Sequence, residues 1–173
     1  MQNVFSDVYL GDVICADGKN KMNIQARVSK GTGIIAQLMS MLEKVSMGKH
    51  FFKIALLLRD SIFLSGILTN SEAWYGLSSS DIELLEAIDR QLLRRILNVP
   101  DSTPIPALYL ETGSLRIGTI VKARRLNFLQ YLLKLPKEDM LSKFFYAQWE
   151  HPDKLDCVEL AKCDLKDFDI SND

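Results

Sequence analysis

Ser80-Asp81-Ile82-Glu83-Leu84-Leu85-Glu86-Ala87-Ile88-Asp89-Arg90-Gln91-Leu92-Leu93-Arg94-Arg95-Ile96-Leu97 is the stretch that decides the fold class. Leu85, Ile88, Leu92 and Ile96 recur every three or four residues, the period of one buried helical face. Ser80 as N-cap and Glu83 at N3 fit a capping box. Arg90, Arg94 and Arg95 fall toward the C-terminal end, where cations complement the helix dipole. Asn98-Val99-Pro100 stops the helix.

Working upstream, the same period runs from about residue 20 to 45. Ile24, Val28, Ile35, Leu38, Leu42 and Val45 form its stripe, and Gly31 and Gly33 mark a kink or a close approach. Ser46-Met47-Gly48-Lys49 closes it, with Gly48 as C-cap. The segment 50–68 is apolar nearly all round and reads as a central helix buried by its neighbours. Lys53, Arg59 and Asp60 argue against a membrane span, because charges at mid-helix are expensive in lipid. Residues 70–77 are a short connection. At the start, Val8-Tyr9-Leu10 and Val13-Ile14 are β-formers around Gly11, and Ala16-Asp17-Gly18 is a turn signal.

Downstream, 101–107 with Pro104 and Pro106 reads as an extended loop, and 108–113 as a short helix ending at Gly113. A helix follows over 117–135 and ends at Pro136. A last amphipathic stretch covers 138–149. The fold class is mainly α: a short N-terminal β-strand or hairpin followed by a helical bundle. The expected organisation is a hairpin over 1–18, a helical domain over 19–150 and an acidic, partly ordered tail over 151–173.

A chain of 173 residues, 47% hydrophobic and 25% charged, can build a core. The start lacks the basic-then-apolar pattern of a secretory signal. Three cysteines, an odd number, suggest reduced thiols and an intracellular protein rather than a disulfide framework. The net charge of −1 hides an asymmetry, because 137–173 carries 5 lysines against 10 acidic residues while the remainder is net basic. That is compatible with nucleic-acid binding, and solvated helix faces give the same numbers.

Cys157 and Cys163 have no second cysteine or histidine at zinc-finger spacing, so no metal site is expected. Gly31-Thr32-Gly33 lies inside a helix and is no phosphate loop. Asp7, Asp12 and Asp17, five residues apart along a strand and turn, do not focus on one point as a two-metal site requires. The remaining candidates are basic: Lys19, Lys21, Arg27 and Lys30 at the start of the first helix, and Lys122, Arg124 and Arg125 near Phe128 and Tyr131. Such groups can hold a phosphate backbone without reading sequence.

Several segments, in order, resemble the region after the catalytic palm in non-LTR (LINE-like) retrotransposon reverse transcriptases. Tyr9-Leu10-Gly11 with Val13-Ile14 and Asp17-Gly18 is similar to the family's "YLG…DG" segment. Ile67-Leu68-Thr69-Asn70-Ser71-Glu72-Ala73-Trp74 resembles "hydrophobic-L-x-Y-G-x-E-x-W", with Asn70 and Ser71 in place of Tyr-Gly. Leu85-Glu86 through Leu93-Arg94-Arg95-Ile96-Leu97 resembles "L-E…LR-x-IL". Leu110-Glu111-Thr112-Gly113 with Arg124-Arg125-Leu126 resembles "E-x-G…R-x-L".

The resemblance implies a thumb-like domain that packs on an RNA–DNA hybrid or duplex, weakly and without sequence preference. Tyr9, Leu10 and Gly11 would form the primer grip, and Lys122, Arg124 and Arg125 would be the candidate phosphate contacts. The full-length family needs Mg2+, held by an aromatic-x-Asp-Asp hairpin upstream of Tyr-Leu-Gly. Adjacent aspartates occur nowhere in this chain, so the expectation is a piece that does not polymerise by itself and takes no cofactor. The alternative is a helical interaction module whose exposed apolar edge takes a protein partner. No membrane partner is expected.

Overall fold

The computed structural model describes residues 6–9, 11–15, 20–44, 50–74, 77–151 and 157–167. It is mainly α with a short N-terminal hairpin. The chain divides into two compact units, Met1–Thr69 with Ser78–Ile117, and Asn70–Leu77 with Gly118–Asp173.

The first unit opens with β1 (Ser6–Tyr9) and β2 (Asp12–Cys15), antiparallel, with Val8 opposite Val13 and Tyr9 opposite Asp12. Gly11 adopts φ +85°, a conformation that costs glycine nothing. Two strands alone are marginal in water. This hairpin is held by α1 (Lys21–Glu43): Asn23 Nδ2 and Arg27 Nη2 donate to Asp12 Oδ1 at 3.1 and 2.6 Å, and the Val13 N–H donates to Asn23 Oδ1 at 3.2 Å. The buried stripe of α1 is therefore Asn23, Ile24, Arg27, Gly31, Ile35, Leu38 and Leu42, while Val28 is only half-buried. Val45 and the closing turn assigned to 46–49 lie outside the described residues.

Gly31 and Gly33 do not interrupt α1, which runs unbroken through both. Gly31 marks a close approach. A Cβ there would lie 2.6 Å from Ile88 Cδ1 and 3.1 Å from Ile67 Cγ2, whereas one on Gly33 meets nothing within 4 Å. The two alanine variants should therefore move stability in opposite directions. Gly31→Ala is expected to lose about 1–2 kcal/mol through overpacking. Gly33→Ala should gain roughly 0.5–1 kcal/mol from helix propensity. Urea denaturation of both proteins checks the pair, and equal signs would contradict the packing.

The apolar segment continues as α2 (Phe51–Leu58), a π-helical stretch (Arg59–Leu64) and α3 (Ser65–Ile67). Phe51, Ala55, Arg59, Phe63 and Ile67 are all buried, a strict four-residue repeat. An α-helix has 3.6 residues per turn, so such a repeat drifts round the axis. The wider i→i+5 turn takes up that drift and keeps the repeat on one face. The expectation of a central helix buried by its neighbours holds for one side: Leu64 and Leu68 widen the buried face, while Phe52 and Leu57 are exposed.

The cation on this face is Arg59, and its partners make its burial possible. Its Nε and Nη2 donate to Asp89 Oδ1 and Oδ2 at 2.7 and 2.8 Å, its Nη1 to Asp60, and Nη2 also reaches the Leu115 carbonyl at 3.3 Å. Asp89 belongs to α4 (Ser79–Leu97), whose residues Leu85, Ile88, Leu92 and Ile96 are buried as the stripe predicts. The capping box of α4 is built two residues earlier than expected, with Ser78 as N-cap and Asp81 at N3. Asn98 ends the helix in a left-handed conformation.

Helix α5 (Ile105–Thr112) starts three residues before the expected 108, because Pro106 sits in the first turn, where its missing N–H costs no bond. Gly113 caps it at φ +61°. Tyr109 of α5 donates its hydroxyl to Asp89 at 3.5 Å. Burial, and then the Asp89 charge, raise this hydroxyl above its ordinary 10.0.

An acid whose folded value is raised supports folding below the unfolded value, and that support is lost as pH climbs above it. The chain should therefore lose helix above about pH 10, with one of its five tyrosines ionising only as the helix signal falls. Tyrosinate absorbance followed beside circular dichroism tests this. Ionisation of all five before any loss of helix would contradict it.

In the second unit, α6 (Ile117–Lys134), α7 (Met140–Glu150) and α8 (Cys157–Asp167) meet around Leu129, Leu132, Phe145, Val158 and Ala161. Asp139 caps α7 through the Leu141 N–H at 2.8 Å. Helix α8 lies within the acidic tail and contributes Val158 and Ala161 to this core. Asn70 takes φ 58°, a left-handed conformation that asparagine tolerates, and turns the chain ahead of Ser71.

Candidate nucleic-acid interface

Two regions carry the candidate residues, one in each unit. In the first, Tyr9 ends β1 and is 65% exposed, and Gly11 is exposed in the turn. Leu10 lies outside the described residues. The basic group at the start of α1 is divided: Lys21 and Lys30 face solvent, whereas Arg27 is buried against Asp12 and also donates to the Gly66 carbonyl at 3.4 Å. Arg27 is thus an anchor for the hairpin rather than a surface charge. Lys19 lies outside the described residues.

In the second unit, the cations of α6 point to different surroundings. Arg124 donates to the buried Ser71 hydroxyl at 3.4 Å. With Glu72, Asn127 and Phe128 it lines a shallow depression of about 410 Å3. Phe128 stacks on Tyr131 with centroids 6.2 Å apart, and Tyr131 presents its outer side to solvent. The depression therefore sets a guanidinium, an amide and an aromatic face beside the Glu72 carboxylate, a lining of mixed charge.

Arg125 instead faces α8. Its Nη1 donates to Asp164 Oδ2 at 2.6 Å, and both side chains are almost wholly enclosed. Lys122 pairs with Asp167 and lies 3.7 Å from Asp164. The Asp167 hydrogen bond is the main cause raising the Lys122 ammonium above its ordinary 10.5. Burial raises the Asp164 carboxyl, and the Arg125 and Lys122 charges pull it back down. The sequence brings out Lys122, Arg124 and Arg125 as one cluster, but the structure sets Arg124 against Ser71 and the depression, and Lys122 and Arg125 against Asp164 and Asp167. Asp164 and Asp167 escaped sequence reasoning, although their three-residue spacing matches that of Lys122 and Arg125.

Among the described residues no group of three His, Cys, Asp or Glu is placed to hold a metal ion. No helix among them is long and apolar enough to cross a membrane. Cys15 and Cys157 are half-buried, Cys163 is exposed, and all three are free thiols. No protein-family model, curated protein or solved structure matches this chain.

Proposed function

We propose that the chain is a thumb-side part of a retrotransposon-type reverse transcriptase that grips primer–template duplex and does not polymerise by itself. The ordered sequence blocks suggest the family. The observation that carries the reading is the hairpin: Tyr9 and Gly11 fall at its turn end, Tyr9 is exposed, and Asp12, opposite Tyr9, pins that same end to α1. A glycine at the tip lets another backbone approach closely, as contact with a primer end needs. Arg124 and the Phe128–Tyr131 pair supply a separate cationic and aromatic surface.

Titrating the full chain with a labelled RNA–DNA hybrid at tens of millimolar salt tests this. Saturable, sequence-independent binding is expected, with affinity falling linearly in log salt by about one unit of slope per phosphate neutralised. Tyr9→Ala should weaken it roughly fivefold, about 1 kcal/mol. No saturable binding under those conditions would end the reading.

A specific observation favours a second reading, a protein-interaction module. Met140, Leu141 and Phe144 of α7 are exposed, with Phe144 at 62%. They fall on one helical face and leave an apolar stripe in solvent. Light scattering separates the two readings, since a monomer at tens of micromolar that binds hybrid supports the first, and self-association without hybrid binding supports the second.

A further inference from the structure

Helix α8 meets α6 through carboxylates and cations set at the same interval. Lys122 and Arg125 are three residues apart, as are Asp164 and Asp167, and the pairs match in reverse order: Lys122 with Asp167, Arg125 with Asp164. Side chains at that interval stand about 5–6 Å apart on one helix face. Two carboxylates so spaced offer α6 what two backbone phosphates would offer, negative oxygens one turn apart. Arg125 Nε is buried and makes no hydrogen bond, so Asp164 does not use all the donors of the guanidinium.

The apolar side of α8, Val158 and Ala161, already buries against the core. The charge pairs add little to that hold. Lys122–Asp167 is largely solvated, and such pairs are worth little. A buried pair such as Arg125–Asp164 often holds no better than apolar side chains of similar size. What the charges add is that any polyanion competes with α8 for the same cations.

We infer that α8 acts as an internal phosphate mimic, covering the Lys122–Arg125 face of α6 until a nucleic-acid backbone displaces its carboxylates. This rests on the nucleic-acid reading above, and the experiment separates the two. Hybrid binding is measured for the full-length chain, for Asp167→Asn, for Asp164→Asn with Asp167→Asn, and for Glu138→Gln. Glu138 is exposed and ahead of α7, so the last variant makes the same charge change as Asp167→Asn away from the pair.

Asp167→Asn should tighten binding about three- to tenfold at low salt and steepen the salt slope by about one, as Lys122 becomes available. The double variant should tighten it further, and Glu138→Gln should leave it within about twofold of the parent, because salt screens an exposed charge away from the pair. Adding Lys122→Ala to Asp167→Asn should remove the gain. Should Asp164→Asn unfold the second unit, the exposed Asp167→Asn variant decides the question alone.

Equal binding by parent and Asp167→Asn leaves the nucleic-acid reading standing and overturns the mimic. A gain in Glu138→Gln as large as in Asp167→Asn also overturns it, since bulk charge then explains both. Absence of binding in every protein overturns both readings together.

Discussion

Arg59→Ala is expected to cost the chain about 3–5 kcal/mol, because it leaves the Asp89 charge uncompensated in the core of the first unit, and Asp89→Ala somewhat less, because Arg59 keeps its pair with the exposed Asp60. Arg59 is 2% exposed and Asp89 is fully enclosed, with two hydrogen bonds between them and a third to Asp89 from Tyr109. A loss of that size is a large share of the 5–15 kcal/mol by which a domain is stable. Removing both charges at once should be far less damaging. Arg59→Met with Asp89→Leu is expected to recover most of the loss, since apolar residues of similar volume can replace a buried pair. Urea denaturation followed by circular dichroism gives all three values. Single variants that lose less than about 1 kcal/mol would mean that water reaches the pair.

Asp12→Ala should be the next most damaging change, at about 2–3 kcal/mol. The carboxylate is one-fifth exposed, which keeps the figure below that for the Arg59 pair, but it accepts from both Asn23 and the buried Arg27. Its removal takes away the ion pair of the enclosed Arg27 with Asp12. It also frees a two-stranded hairpin that has little stability of its own. The effect should therefore be local as well as global, with loss of amide-exchange protection across 6–9 and 12–15 before the helices. Asp12→Asn, which keeps an acceptor but no charge, should fall between. If β1 and β2 keep their protection in Asp12→Ala, the hairpin is held by something other than this cluster.

Both results turn on charges that the sequence presents as ordinary surface residues. Periodicity made α4 legible, since Leu85, Ile88, Leu92 and Ile96 needed only their own spacing to be placed inside. It could not show Arg59 with Asp89, because the partners are 30 residues apart and each reads as a polar break in an apolar stripe. The four-residue repeat of Phe51, Ala55, Arg59, Phe63 and Ile67 was hidden by apolar neighbours on the exposed side, such as Phe52 and Leu57. Pro104 and Pro106 looked like loop residues because a proline signals a break anywhere except the first turn. In α4 both Ser78 and Ser80 have an acid three residues on, Asp81 and Glu83, so the N-cap depends on which hydroxyl meets a free N–H.

The candidate interface was legible in the same uneven way. Tyr9 and Gly11 stand at a hairpin tip, where the strand signals placed a turn. Lys122, Arg124 and Arg125 read as one basic cluster because neighbours in sequence look like neighbours in function. A helix sends consecutive residues to different sides, so Arg124 meets Ser71 while Arg125 meets Asp164. The acidic composition of 137–173 was the signal that these cations had partners within the chain.

The proposed descent from a reverse transcriptase has one direct test. It is the sequence of the transcript and genomic DNA immediately upstream of the Met1 codon. The account predicts an open frame continuous with this one that encodes an aromatic residue, any residue and two adjacent aspartates shortly before Tyr9. An upstream frame encoding an unrelated domain, or stop codons in all three frames with no trace of that motif, would contradict it.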